Sequence, residues 1–575
     1  MSWEQVYEQW LNEASLEEKL KQQLTTLKED PVQLEDAFYA PLEFGTAGMR
    51  GILGPGINRM NIYTIRQATE GLARFMDAQD AQTKRRGVAI AYDSRHMSPE
   101  FAMEAAKTLA KHAIPSFVFE SLRPTPELSF AVRHLHAFTG IMITASHNPA
   151  AYNGYKVYGE DGGQMPPADA DALTTYVRGV ENPLEVEVLS EEEVEHSGLI
   201  TIIGEEVDIA YLKEVKAVTI NPSLVEEMGK TLKLIYTPLH GTGKMLGEKA
   251  LKQAGFEQFK LVPEQAIADP DFTTVKSPNP EEHSAFEYAI RLGEKENADL
   301  LIATDPDADR LGAAVRLPDG NYQVLSGNQI GALMIQYILE AHKQAGTLPE
   351  NAAVLKSIVS SELPTAIADK YDTTMINVLT GFKFIAEKIQ QFEEDHTHTF
   401  MFGFEESYGY LVKSFVRDKD AIQALVLLAE VAAFYKKQGM TLYDALQEMF
   451  KEYGYYAEKT ISVTMSGIEG SAKIAALMTK FREEAPKKFA GINVIQTEDF
   501  KLLTKTDRSG KSEALTTPPS NVLKYVLEDE SWIAVRPSGT EPKIKFYIGV
   551  KGSTQAQADE KIAAYEKSIT NITEG

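Results

Sequence analysis

Residues 88–120 read VAIAYDSRHMSPEFAMEAAKTLAKHAIPSFVFE, and this stretch decides the fold class. Val88–Tyr92 is an apolar run of strand length that ends in a polar loop, Asp93-Ser94-Arg95. Pro99–Ala113 then sets Phe101, Ala105, Leu109 and Ala113 at helical spacing. Pro99 suits a first helical turn, where its missing N–H leaves no bond unmade. Ser116–Glu120 is a second strand and Gly140–Thr144 a third. Strand and helix in alternation predict α/β units with a largely buried sheet.

The same unit recurs along the chain. Leu232–Tyr236 runs into Thr237–Gly243, and Asp299–Ala303 into Thr304–Arg310; Ala353–Val359 and Thr399–Phe402 read as two more strands. Ahead of the first unit, Met1–Asp36 reads as helix. Trp3, Val6 and Trp10 share a face, and Ser15-Leu16-Glu17-Glu18 has the form of a capping box. Glu181–Ser197 is acidic and reads as a solvated connector, and Glu205–Lys216 as the helix that opens the next domain. The last boundary is placed near Tyr453–Tyr456.

Length and composition bound what such units can do. At about 150 residues per domain, 575 residues correspond to roughly four domains. With 43% hydrophobic and 25% charged residues the composition is that of a soluble globular protein. The longest apolar stretch, Ala424–Phe434, is broken by Glu430 and falls short of the ~20 residues a bilayer needs. MSWEQVYEQW has no basic region followed by an apolar one, so no signal peptide is expected. The absence of cysteine excludes disulfides and thiol catalysis and fits a cytoplasmic protein. A net charge of −25 argues against nucleic acid and anionic membranes as partners. It also repels phosphorylated metabolites, so a phosphate-binding cleft would need its own local cations.

Polar segments follow the apolar strands, where open α/β sheets bind their ligands. Thr144-Ala145-Ser146-His147-Asn148-Pro149 places a serine in a tight loop, although its composition alone is that of a turn. Asp305-Pro306-Asp307-Ala308-Asp309-Arg310 aims three carboxylates at one point, which is costly without a cation, and oxygen ligands suit Mg²⁺ or Ca²⁺ better than zinc. Where an EF-hand needs glycine and glutamate, this chain has Arg310 and Arg316. The Asp-x-Asp pattern also resembles the nucleophile loop of haloacid-dehalogenase phosphotransferases, but it continues with Asp309-Arg310 rather than Thr or Val. Gly403-Phe404-Glu405-Glu406-Ser407 offers carboxylates and a hydroxyl to sugar hydroxyls, and Arg536-Pro537-Ser538-Gly539-Thr540-Glu541-Pro542-Lys543 has the makings of a phosphate cradle.

Together, in this order, the four loops resemble those of the α-D-phosphohexomutase superfamily, across roughly residues 40–560. The likeness is greatest to its phosphoglucomutase members, of the phosphoglucomutase-2 and phosphopentomutase type. The resemblance implies three similar α/β domains with mixed sheets and a smaller C-terminal α+β domain around a central cleft. The expected ranges are 1–204, 205–323, 324–452 and 453–575. It implies Ser146 as phosphoserine, with Asp305, Asp307 and Asp309 and the seryl phosphate as Mg²⁺ ligands. Glu405 and Ser407 would bind sugar, and Arg536, Ser538, Gly539 and Thr540 phosphate. Phe44–Gly51 resembles the family's N-terminal motif, whose arginine, here Arg50, faces the site. Lys156 matches a proposed acid or base, Arg310 stabilises charge, and Lys356, Lys383, Arg417 and Lys419 match residues near the substrate. His147 reads as structural within its loop or as a contact to the phosphate, and His240 as structural or as a support behind the site. The reaction implied is exchange of glucose 1-phosphate and glucose 6-phosphate through glucose 1,6-bisphosphate, by a monomer or dimer acting on small sugar phosphates. A pentose or mannose phosphate substrate and bisphosphate synthesis stay open within the family. An aspartyl-phosphate phosphatase and a metal-dependent sugar-phosphate binding protein stay open outside it.

Overall fold

The structure, a computed structural model, describes every residue except 1, 46–47, 166, 466–467, 539–542 and 575. The chain forms two compact units. The first comprises Met1–Ser326, Ala386–His396 and Ser407–Thr441; the second comprises Gly327–Ile385, Thr397–Glu406 and Leu442–Gly575.

The first unit holds two mixed sheets. In the six-stranded one the order is Met49–Ile52, Tyr152–Tyr158, Thr139–Ile143, Val88–Tyr92, Ser116–Phe119, Ile200–Ile203. Its last four strands are parallel and its first two pairings antiparallel. Val88–Tyr92 and Thr139–Ile143 are buried at every residue, as central parallel strands covered on both faces must be. Helix Ser98–Lys111 packs on them and buries Phe101, Ala105 and Leu109 as the spacing predicts, but it stops short of Ala113, which is exposed at φ 57° in the turn that follows. In the five-stranded sheet Phe259–Leu261, Leu234–Thr237 and Leu300–Thr304 run parallel, and Leu311–Arg316 and Tyr322–Val324 extend it antiparallel.

Two expectations for the first unit are corrected. The N-terminal capping box is Ser2 with Gln5, not Ser15 with Glu18. Glu13 takes both the amide and the hydroxyl of Ser15, at 2.9 and 2.7 Å, and helix Glu18–Leu27 starts without a side-chain cap. The stretch 181–197 is not merely a solvated connector. Pro183 and Leu184 are buried in a short turn, helix Glu191–Ser197 carries its own capping box, and Glu187 and Glu191 pair with Lys111 and Lys107.

Glu430, which interrupts the apolar run, lies inside the nearly all-buried helix Ala421–Lys437. There its carboxylate accepts the amides of Ile220 and Asn221 at 2.6–3.1 Å, which offsets the desolvation of a buried charge. No described helix is long and apolar enough to cross a membrane.

The second unit has a parallel trio, Thr374–Val378, Ala352–Ser357 and Thr399–Glu405. It also has an antiparallel sheet whose central strands are Lys543–Gly552, Trp532–Pro537 and Leu523–Leu527. Helices Ile468–Glu483 and Gln555–Glu574 close that sheet over Phe481, Phe546, Ile533 and Tyr565, giving the α+β character expected of the C-terminal domain.

Candidate active site

In the first unit Asp93 and Thr144 stand at the carboxyl ends of adjacent parallel strands, and the Asp93 amide donates to the Ile143 carbonyl. Thr144 donates its hydroxyl to Asp93 Oδ2 at 2.6 Å and receives the Ser146 amide at 2.8 Å. Ser146 itself sits at φ 52°, a conformation that non-glycine residues seldom adopt unless their surroundings impose it.

Arg95 does the imposing. Its buried guanidinium donates to the carbonyls of Ser146 (2.7 Å), Asn148, Pro149 (2.8 Å) and Tyr152 (3.0 Å). It also pairs with Asp93 at 3.3 Å and lies over the Phe272 ring. One rigid fork therefore holds the backbone of the serine and of the residues that follow it.

Asp305 follows the strand Leu300–Thr304 and accepts the Ser146 hydroxyl at 2.9 Å, across 159 residues of sequence. Its other oxygen takes the amides of Asp309 and Arg310 at 3.1 and 3.0 Å, which winds the loop back on itself through Ala308 at φ 50°. Gly241 is required beside it, because a Cβ there would lie 2.4 Å from the Pro306 Cα.

Asp305, Asp307 and Asp309 each offer an oxygen within 4.8 Å of the others, and all three are buried. Burial, then the neighbouring Asp307 and Asp309, push the Asp305 carboxyl well above the usual range. For Asp307 burial acts in the same sense, but the Lys156 charge together with hydrogen bonds from Asp305, Lys156 and Thr125 outweighs it and holds the group low. The Lys156 ammonium lies 3.0 Å from Asp307 and 3.9 Å from Asp309. Lys419 lies 3.2 Å from Asp309 and 2.8 Å from Asp418, which Tyr158 and Gln164 orient. Among the described residues, Asp307 Oδ1 and Asp309 Oδ1 are buried without a hydrogen-bond partner. Buried carboxylate oxygens need compensation, and an all-oxygen cluster with two of them open fits a hard divalent cation such as Mg²⁺.

Around Ser146, Arg50 donates to Asn148 at 2.7 Å, and His147 Nδ1 is 3.2 Å from the serine hydroxyl. Burial, then Arg310 and Arg50, drive the His147 imidazole well below its usual range, so it is neutral. Arg310 reaches Glu281 at 2.8 Å and the Ser407 carbonyl at 3.1 Å. The structure thus gathers Ser146, the three aspartates, Lys156, Lys419, Arg50 and Arg310 as the sequence suggests. Arg417 is not gathered with them: it is fully buried, pairs with Glu393, and donates to the Ser414 carbonyl.

Within the second unit, Glu405 receives the Gly381 amide at 2.7 Å, so the Thr380-Gly381-Phe382-Lys383 loop sets its orientation. Lys383 lies over the Phe384 ring. Lys356 is fully buried against Glu362 at 3.1 Å, and burial lowers its ammonium to about 8. Ser538 donates its amide to the Lys543 carbonyl at 2.7 Å, and Arg536 closes the strand Trp532–Pro537; Gly539 and Thr540 lie outside the described residues. Sequence reasoning missed Asp93, Arg95, Thr125 and Asp418 as parts of the site. A signal existed for the first two, a polar loop after an apolar strand.

The serine held beside three convergent carboxylates, each on a loop after a parallel strand, defines an α/β enzyme built for phosphoryl transfer. The chain matches the four phosphoglucomutase/phosphomannomutase domains: α/β/α domains I (41–183), II (210–318) and III (326–453), and the C-terminal domain (478–566). It is 41% identical to a phosphoglucomutase of Staphylococcus aureus over 93% of this chain and 94% of that one. Against a phosphoglucomutase of Staphylococcus epidermidis the identity is 43%, over 90% and 92%. The fold is also that of the Paramecium phosphoglucomutase parafusin, with a TM-score of 0.66 and 16% identity over 93% and 96% of the two chains. The chain therefore belongs to the phosphoglucomutase/phosphomannomutase family, and it is an isomerase-class intramolecular phosphotransferase acting as a phosphohexomutase.

Proposed function

We propose that the protein is a phosphoglucomutase that exchanges glucose 1-phosphate and glucose 6-phosphate through phospho-Ser146, with glucose 1,6-bisphosphate as intermediate. The contact that carries this reading is the Ser146 hydroxyl 2.9 Å from Asp305, on a backbone that Arg95 holds in an unfavourable conformation. The two relatives of 41% and 43% identity are named for glucose, which supports that choice of sugar.

Asp305, Asp307 and Asp309 would hold Mg²⁺, which draws charge from phosphoryl oxygens and so favours transfer. The chain's own residues do the rest. Lys156 and Lys419, fixed against Asp307 and Asp309, keep positive charge beside the serine. Arg50, from the strand Met49–Ile52, and Arg310, from the end of the aspartate loop, add to it. In one half-reaction the substrate's 6-hydroxyl attacks the seryl phosphorus and the bond to Ser146 Oγ breaks; Lys156 is our assignment for the group that gives a proton to the departing Ser146 Oγ as it takes up the proton of the attacking hydroxyl. The bisphosphate then turns, and its other phosphate returns to Ser146. Glu405 and Ser407 bind ring hydroxyls, and Lys383 lies near the substrate. Arg536, Ser538, Gly539 and Thr540 anchor the phosphate that is not reacting.

Peptide mapping of enzyme loaded with glucose 1,6-bisphosphate tests this. We expect one acid-stable phosphate on Ser146, and a Ser146→Ala variant that has lost nearly all turnover. An acid-labile phosphate on Asp305 would instead establish a phosphatase-like course. Rates on glucose, mannose and ribose 1-phosphates fix the sugar, and a higher kcat/KM for mannose or ribose would overturn the glucose assignment.

A further inference from the structure

Thr125 lies 182 residues before Asp307, yet touches it twice. Its hydroxyl donates to Asp307 Oδ2 at 2.9 Å, and its amide donates to the Asp307 carbonyl at 2.9 Å. Lys156 shares the same Oδ2 at 3.0 Å. With two donors on one oxygen and a third on its own carbonyl, Asp307 has neither side-chain nor backbone freedom. Among the described residues the buried Oδ1 has no hydrogen-bond partner.

The hydroxyl is not used to cap its helix. Helix Thr125–His134 begins after Pro124, with no side-chain cap bond. The segment before it is held fast: Arg123 grips Asp208 through two nitrogens, at 2.7 and 3.1 Å. The Arg123 amide donates to the Tyr92 carbonyl at 3.0 Å, one residue before the Asp93 that holds Thr144. Residues 123–125 therefore tie the strand end supporting the Ser146 loop to the loop bearing the three aspartates.

We propose that Thr125 is a positioning residue for the reaction: it fixes Asp307 so that Oδ1 is presented to the cation. The inference rests on the reading of the three aspartates as a divalent-metal site. Partners of this kind around a ligand change metal affinity by about 10–100-fold when removed.

The test is Mn²⁺ titration of the full-length enzyme without substrate, reading free Mn²⁺ by electron paramagnetic resonance. Thr125→Val removes the hydroxyl at nearly constant volume and should bind Mn²⁺ about tenfold more weakly or worse. Thr125→Ser keeps the hydroxyl and should stay close to the native value. In steady state the valine variant should recover its kcat when metal is raised, with KM for the sugar phosphate unchanged. Should the valine variant not fold, Thr125→Ala takes its place in the same titration. Native-like Mn²⁺ binding by the variant lacking the hydroxyl overturns the inference, as does a serine variant as weak as the valine one. Failure of the metal reading looks different: native enzyme, or Asp307→Asn compared with it, would then show no site that depends on Asp307.

Discussion

At the scale of single residues, four backbone carbonyls converge on one guanidinium, that of Arg95. Lysine keeps the charge but gathers its donors at one point, so it cannot span Ser146, Asn148, Pro149 and Tyr152 together. Arg95→Lys should therefore release the loop that presents the serine. Misplacement of a reacting atom by about 1 Å can reduce turnover on the order of 10²-fold. We expect a fall of that size in kcat, with KM for the sugar phosphate and Mn²⁺ affinity little changed, measured by steady-state kinetics and metal titration in parallel. Unchanged kcat would show that the loop holds its shape without the fork.

At the scale of elements, the second unit carries a buried charge cluster that packs two of its strands together. Lys356 of Ala352–Ser357 and Lys524 of Leu523–Leu527 both approach Glu362, at 3.1 and 3.6 Å. Lys524 also donates to the Ile358 carbonyl at 2.8 Å and lies over Trp532. Although burial works against its charge, Lys356 and Lys524 hold the Glu362 carboxyl at about 2. The folded state thus releases this proton more readily than an unfolded chain, where the group titrates near 4.5. Its contribution is complete above that pH and disappears as pH falls through about 2. Glu362→Gln should destabilise by about 2–3 kcal/mol at neutral pH, and the difference from native should shrink between pH 4.5 and about 2. Hydrogen exchange of the amides in Leu523–Leu527 reports it, and a difference independent of pH would exclude the ion pair as its source.

At the scale of the whole molecule, a net charge of −25 surrounds a site with three carboxylates within 4.8 Å of one another. Both features oppose the folded state in the absence of a bound cation, since like charges are concentrated by folding. A ligand that binds the folded form alone stabilises it by about 2.7 kcal/mol at 100 times its Kd. Mg²⁺ should therefore raise the Tm of the native protein, and chelator should reverse the rise. Asp305→Asn removes one of the crowded charges while keeping an oxygen for the amides of Asp309 and Arg310. In chelator its Tm should equal or exceed the native one, and Mg²⁺ should give it little further gain. Calorimetry of both proteins with and without metal decides; a Mg²⁺ response intact in the variant would remove Asp305 from the ligand set.

The alternation of strand and helix, the loops after the strands and the order of four motifs are all legible in the sequence. These are written in local periodicity and in short runs of residues, such as Val88–Tyr92 before Asp93 or Leu300–Ala303 before Asp305. Which side chains meet is settled by the folded chain alone. The polar loop after Val88–Tyr92 marks Arg95 as a candidate but does not name its partners, which lie 51–57 residues away, and Thr125, 182 residues from Asp307, gave no signal at all. Tertiary burial also set apart cations that look alike in sequence. Lys156 and Lys419 reach the aspartates, while Arg417 pairs with Glu393 and Lys356 with Glu362. Local sequence selects backbone conformation through spacing and propensity. The partner of a charge is selected by whatever the fold brings within about 4 Å of it while excluding water, and that depends on the whole chain at once.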